Sequence, residues 1–351
     1  MVLTAIDSWV VRMDRNECAA LLPGVGDVLR ADADGWHRYP DSSASVLTEM
    51  LAAHTRLHPD AMVVGAGSAE LLARVLRVAC AGGGEVVFAD PSFEAYAMLA
   101  RQAGAEPVAV PTTAEGVTDV EGMLAAVTPA TRVMIVCNPH NPTGSVIRRP
   151  ELEYLLAEVG SHVMVVLDEA YRELTFDPDV PDGIELARSR SGVVVTRTFS
   201  KVHGLAGLRV GYLAAPPPLA EVLRHAAVPY QISAPAQAAA MASLRQEAAL
   251  AARCAWIAGE RERMRAALRE HGFQTPHSHG NFVWIPLRHT AEAFAQHCVA
   301  RGFVIRSYPG AGVRVSLGTP AENTDFVQIA AQARRLTRPD RRVHQQDAKS
   351  A

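Results

Sequence analysis

The sequence predicts an α/β protein: a large layer of mainly parallel strands with helices on both faces, then a smaller α+β unit. Three observations carry that expectation. Short apolar runs alternate with helical text from residue 45 to residue 240. The runs are apolar at successive positions, as strands covered on both faces must be. And 351 residues are enough for roughly two domains at ~150 each.

The elements follow in order. Residues 1–40 are rich in Gly, Pro and Asp and read as an irregular arm. SVLTEMLAAH (45–54) is a helix, and in MVVGAGSAELLARVLRVAC a short apolar run meets glycine and then a helix with Leu71, Leu72, Val75, Leu76 and Val78 at helical spacing. EVVFAD (85–90) is a strand, FEAYAMLARQAG a helix, AEPVAVP a strand and VEGMLAAV a helix. TRVMIVCNP (131–139), HVMVVLDEAY (162–171), VVVTRTFS (193–200) and VGYLAAP (210–216) are further strands, with ELEYLLAEVG (151–160) a helix between the first two. One Arg- and Ala-rich helix is expected over 245–271, then strands NFVWIPL (281–287), FVIRSY (303–308) and GVRVSLG (312–318), with helices around AEAFAQHCVARG and over 322–335. The expected division is an arm and part of the small domain at 1–44, a large domain at 45–245, a small domain at 246–335, and a polar, Pro-broken, frayed tail at 336–351.

Composition excludes several classes. Hydrophobic residues make up 49% and charged residues 20%, so the chain is neither disordered nor fibrous. The formal charge of −3 offers no basic excess for a nucleic acid or an anionic membrane. No uncharged stretch reaches the ~18 to 20 residues that span a bilayer. The N-terminal text lacks the basic start and apolar core of a signal peptide. Cys18, Cys80, Cys137, Cys254 and Cys298 form no CxxC pair and their odd number closes no disulfide framework, so a reducing, cytoplasmic setting is expected. All but Cys18 sit in apolar or helical text, as small buried hydrophobes do.

One count points to chemistry. Lys201 is the single lysine of the chain body, the other being Lys349 in the tail. Arginine cannot replace an amine that must lose a proton and act as a nucleophile. Ligands of parallel sheets bind at the carboxyl ends of the strands. Those ends carry Gly67-Ser68, NPHNPTG (138–144), Asp168-Glu169-Ala170-Tyr171 and Thr198-Phe199-Ser200-Lys201. Asp168 follows five apolar residues, so its carboxylate needs a hydrogen-bonding or cationic partner. Thr198, Ser200 and Arg209, with the N–H groups of a helix beginning near Gly67-Ser68-Ala69, can hold a phosphate dianion. A phosphate, an imine-forming amine and a buried acid together describe pyridoxal phosphate.

The ordered set GAGSAELL, PSFEAY, NPHNPTG, DEAY, TFSK with GLAGLRVGY, and GVRVSLGTPAEN resembles the fold-type I pyridoxal-phosphate aminotransferases, and within them the histidinol-phosphate and aromatic aminotransferase branch, over residues 36–335. The resemblance implies a three-layer large domain around a seven-stranded type of sheet. It implies a homodimer with shared active sites. It makes Lys201 the Schiff-base lysine and proton shuttle, Asp168 the partner of the ring nitrogen, and Asn141 and Tyr171 partners of the ring hydroxyl. Phe93 would stack on the ring. The backbone at Ser68 and Ala69, with Thr198, Ser200 and Arg209, would hold the phosphate, and Tyr39 would reach the other subunit's cofactor. Arg314 would clamp a substrate carboxylate and Arg306 would meet a substrate phosphate, with Asn16 and His203 near the substrate. No metal site is expected at His140, His277 or His279, which lack zinc-site spacing. The segment between Arg306 and Arg314 is as short as in the aromatic relatives, and Cys18 stands where the family has a proline.

The activity implied is transfer of an amino group from histidinol phosphate, histidine or an aromatic amino acid to a 2-oxo acid such as 2-oxoglutarate. A decarboxylase, cyclase or lyase of the same scaffold is the alternative. A regulatory protein on a dead scaffold would lack the lysine or the acid. A nicotinamide dehydrogenase would need GxGxxG, which GAGSAE does not match.

Overall fold

The computed structural model describes residues 10–333, so the tail expected at 336–351 lies outside the described residues. Eleven strands form among them: β1 (Val11–Met13), β2 (Met62–Gly65), β3 (Glu85–Asp90), β4 (Glu106–Pro111), β5 (Thr131–Cys137), β6 (Met164–Asp168), β7 (Val193–Thr198), β8 (Gly211–Ala214), β9 (Phe282–Ile285), β10 (Phe303–Tyr308) and β11 (Gly312–Ser316).

Seven of them make one sheet in the order β2-β8-β7-β6-β5-β3-β4. The five from β7 to β4 run parallel, and β8 pairs antiparallel with both β7 and β2. Successive side chains of a strand point to opposite faces. Val133 and Ile135 therefore enter one core with Leu72, Val75 and Tyr96, while Met134 and Val136 enter another with Leu152, Leu155 and Ala239. Continuous apolar strands are the chemical consequence of two covered faces.

The small sheet has the order β1-β10-β11-β9. Here β10, β11 and β9 are antiparallel neighbours, and β1 adds alongside β10 in parallel. Phe282, Phe294, Phe303, Val313 and Phe326 fill its core, and Met13 of β1 is buried among them.

Three sequence expectations change. The arm is not wholly irregular: it contains β1 and a helix at Val25–Ala31. A three-residue strand is too short for a periodicity, and its partner lies about 290 residues away, from Val11 to Phe303. The helix expected over 245–271 is found at Glu247–Glu270, but an unexpected separate helix, Ala234–Leu244, precedes it and starts with Ser233 accepting from the backbone N–H of Ala236. Helices Gly183–Ser189 and Pro217–His225 were also not foreseen.

Candidate active site

A cleft of about 600 Å³ opens at the carboxyl ends of the parallel strands. Its lining brings together Asn16, Ser68, Ala69, Phe93, Asn141, Asp168, Tyr171, Thr198, Ser200, Lys201, Arg209, Arg306 and Arg314 from the sequence expectations. The large sheet supplies one wall, and β10, β11 and the segment after β1 supply the other.

Asp168 is the last residue of β6 and is buried. Tyr96 donates its phenol to Oδ2 at 2.6 Å, and Thr196 of the neighbouring strand donates to Oδ1 at 3.3 Å. Burial pushes the carboxyl pKa up, against the pull of these hydrogen bonds. A carboxylate so placed gains from a cation brought against it. Tyr96 was missed in the sequence. Its signal was present in PSFEAY, because residues three apart at a helix start share a face, and Phe93 and Tyr96 meet edge to face with centroids 5.5 Å apart.

Lys201 follows β7 by three residues. Its Nζ donates to the Arg15 carbonyl at 3.3 Å and lies 5.7 Å from the Tyr171 ring centroid. Burial, and then the Arg314 guanidinium, lower its pKa to about 8. An amine at that value supplies its neutral form near physiological pH, which an ordinary lysine does not.

The phosphate side is built from three segments. Helix Ser68–Ala79 has no side chain capping its first turn, and Ser68 and Ala69 line the cleft. Thr198 Oγ1 donates to Ser200 Oγ at 3.0 Å, and Arg209 Nη1 donates to the same oxygen at 3.3 Å. A Cβ at Gly67 would fall 2.4 Å from Arg209 Nη2, with φ at +90°, so only glycine lets the guanidinium approach the helix start. These groups fit pyridoxal phosphate: unpaired helix N–H groups, two hydroxyls and a guanidinium for the dianion, an amine for the aldehyde, and a buried carboxylate for the ring nitrogen.

Arg314 of β11 is buried. Its Nη1 donates to Asn141 Oδ1 at 2.5 Å and to the Tyr308 hydroxyl at 3.2 Å, while Nη2 donates to the Asp14 carbonyl at 2.5 Å. Its buried Nε has no hydrogen-bond partner among the described residues. Because the Asn141 carbonyl oxygen is held by Arg314, the amide nitrogen remains to donate into the cleft. Asn16, at φ +54°, donates from Nδ2 to the Tyr171 hydroxyl at 2.8 Å and accepts from Ser316 at 2.8 Å.

Three expected residues stand elsewhere or are differently engaged. His203 is not in the cleft lining. The turn after Lys201 aims it back at helix Ala234–Leu244, where Nδ1 meets Ser243 Oγ at 2.6 Å and the ring lies 4.6 Å from Phe199, and burial lowers its pKa to about 3. Tyr39 is 83% exposed, outside its own chain's cleft, and packs 4.8 Å from Tyr230. Arg306 lines the mouth, but its Nε is paired with Glu94 Oε1 at 2.5 Å. His140 is a support: its Nδ1 meets Thr143 Oγ1 at 2.9 Å. Among the described residues no cluster of three metal-ligating side chains occurs and no helix is long and apolar enough to cross a membrane.

Comparison with known proteins agrees with this geometry. The chain is 46% identical over 309 residues to the aromatic amino acid aminotransferase of Thermobifida fusca, covering 88% of this chain and 86% of that one. It is 44% identical over 314 residues to the aromatic amino acid aminotransferase of Streptomyces coelicolor, covering 90% and 88%. The crystal structure of histidinol-phosphate aminotransferase from Sinorhizobium meliloti in complex with pyridoxal-5'-phosphate superposes with a TM-score of 0.87 at 27% identity, covering 93% of this chain and 91% of that one. The pattern of the aminotransferase class I and II family matches residues 11–329, and with a lysine, an acid and an arginine converging on one cleft, this chain belongs to that family.

Proposed function

We propose that the protein moves an amino group from an aromatic amino acid to a 2-oxo acid, with pyridoxal phosphate as cofactor. The observation that carries this reading is Arg314, a buried guanidinium in the same cleft as Lys201 with an Nε that no group among the described residues takes. It is a ready partner for one substrate carboxylate. The likeness to aromatic amino acid aminotransferases at up to 46% identity supports the choice of donor.

Each residue then has a task. Thr198, Ser200, Arg209 and the N–H groups at Ser68 and Ala69 hold the cofactor phosphate. Phe93 would cover the ring, and Asn141 and Tyr171 would direct their polar ends at its hydroxyl. Asp168, oriented by Tyr96 and Thr196, keeps a negative charge at the ring nitrogen. When bound, pyridoxal phosphate supplies an aldehyde to receive the amino group and a ring that withdraws electrons from it. Arg314 fixes the substrate carboxylate and so the direction of the Cα–H bond. With the cofactor bound, Lys201 in its neutral form would take the proton from the substrate Cα and hold it for return.

The same reading makes the enzyme a homodimer with Tyr39 serving the other subunit. Its support is the exposure of Trp36, Tyr39, Val228 and Tyr230 on one chain. The five free thiols support a reducing, cytoplasmic setting. The test is a half-reaction: holoprotein mixed with L-phenylalanine should convert its aldehyde chromophore to the amine form and release phenylpyruvate, and 2-oxoglutarate should restore it. Release of carbon dioxide without an oxo acid would replace this reading with decarboxylation.

A further inference from the structure

Two demands on Asp168 oppose each other. Facing a ring nitrogen, it must stay charged, so that a proton remains on the nitrogen and does not cross to the carboxyl. Buried at the end of β6, it is driven to take that proton itself, because burial favours the neutral acid. Two bases thus compete for one proton, and the donors already on the carboxyl decide which of them is the weaker.

Those donors are unequal. Tyr96 donates to Oδ2 at 2.6 Å, Thr196 donates to Oδ1 at 3.3 Å, and the backbone N–H of Ala170 adds a further bond. A short bond from a hydroxyl to a carboxylate is of the strong, charge-assisted kind. The Tyr96 bond is the largest counterweight to burial at this carboxyl. The Lys201 charge also favours the ionised form, but only while its amine is protonated. Tyr96 remains a donor throughout: it is 1% exposed, and burial and the Asp168 charge push its own pKa well up. Cys137 and Tyr171 also face Asp168, and burial keeps both uncharged, the thiol with its pKa pushed up to about 12.

The phenol is held in place by the residues around it. Its ring meets Phe93 edge to face at 5.5 Å between centroids and Phe88 at 5.9 Å. One short segment, 93–96, therefore addresses both the face of the ring and the acid at its nitrogen.

Building on the aminotransferase reading, we propose that Tyr96 is a positioning residue that fixes where one proton sits. Its phenol makes Asp168 the weaker base, so that the cofactor's ring nitrogen, and not the carboxyl, keeps the proton that lets the ring draw electrons.

The test observes that proton directly. Holoenzyme is loaded with pyridoxal phosphate carrying nitrogen-15 in its ring, and the nitrogen resonance is recorded at neutral pH for wild type, Tyr96→Phe and Thr196→Val. Wild type should show a protonated nitrogen. Tyr96→Phe keeps both ring contacts and removes only the hydroxyl. Loss of a hydrogen bond to a charged group should raise the carboxyl's proton affinity roughly ten- to a hundredfold. The Tyr96→Phe resonance should therefore move toward the unprotonated position, and that of Thr196→Val should move less. With L-phenylalanine, kcat of Tyr96→Phe should fall about tenfold or more while KM changes by less than about threefold. An unprotonated nitrogen in wild type overturns the proposal, and that outcome needs no variant to fold. So does an unmoved Tyr96→Phe resonance, or a larger shift from Thr196→Val. If the resonances move as expected but phenylalanine gives up no amino group, the proposed function fails and the role of Tyr96 stands.

Discussion

The two walls of the cleft are built differently. On the large-sheet wall, each chemical group follows a strand end closely: Asp168 ends β6, Thr198 ends β7, and Lys201 lies three residues beyond. Some of their hydrogen bonds run to a neighbouring strand or within the same loop, as from Thr196 to Asp168 and from Thr198 to Ser200, while Tyr96 reaches Asp168 from a helix and Lys201 reaches across to the Arg15 carbonyl. On the other wall the ties span most of the chain. Arg314 reaches the Asp14 carbonyl, and Ser316 reaches Asn16, each across 300 residues of sequence. The lesson is a division of labour: the reacting groups sit on a rigid scaffold, while the groups that select the substrate sit where an arm meets a second sheet and can be exchanged without disturbing that scaffold.

The strongest way to break the comparison is to remove the reacting group from the rigid wall. Lys201→Ala should lower kcat by roughly 10⁴-fold or more, because the described residues contain no other lysine and the proton shuttle is lost. Circular dichroism and thermal midpoint should stay near wild type, since the amine makes one long hydrogen bond, to Arg15. Turnover within tenfold of wild type would show that another base does the work.

The sequence revealed the two walls unequally for the same reason. The large sheet was legible because apolar runs such as VMIVC and VMVVL announce strands buried on both faces, and a polar residue ending such a run announces the rim. Asp168 and the Thr198–Ser200 pair followed from that, and Lys201 from that together with its being the single lysine of the chain body. Tyr96 shares a helix face with Phe93, but its partner is 72 residues away and nothing local names it. β1 was hidden because its three residues carry no period. Glu94 as the partner of Arg306 was hidden because 212 residues separate the two. His203 was misjudged because closeness in sequence to Lys201 says nothing of the direction in which a turn aims its side chain. Resemblance located Arg314 in the site but not the Asp14, Asn141 and Tyr308 oxygens that hold it.

A middle-sized effect should come from the arm. Asn16→Ala removes the bond to the buried Tyr171 hydroxyl and the one from Ser316, whose Oγ still accepts from the backbone N–H of residue 16. Such losses cost roughly 1–3 kcal/mol where a buried polar group is stranded. The arm would then dock less well, and with it the Asp14 carbonyl that holds Arg314. KM for the carboxylate substrate should rise about tenfold while kcat changes less, a split that Lys201→Ala should not show. A fall in kcat with KM unmoved would place Asn16 with the chemistry instead.

The smallest effect concerns acid, and it should act on the walls in the opposite order. His140 and His203 both support large-sheet loops, and burial holds their pKa values down, to about 4 and about 3. In the unfolded chain each titrates near 6.5. Between these values the unfolded state binds the proton and the folded state does not, so the stability is complete above about 6.5 and is lost as pH falls toward the folded values. The slope is at most about 1.4 kcal/mol per histidine per pH unit. Other groups face each ring: His54 and Arg253, both of which lower the His203 value further, and Thr143 at His140, which is neutral. Hydrogen exchange at pH 5 against pH 7 should therefore loosen the loops at 138–145 and 199–205 before the arm at 11–17. His203→Gln, which keeps the size and a hydrogen bond to Ser243 but cannot be charged, should flatten the acid limb by the share of one histidine. If the arm opens first, the acid sensitivity lies in the carboxylates of the cleft mouth, and the rigid wall is rigid in acid as well.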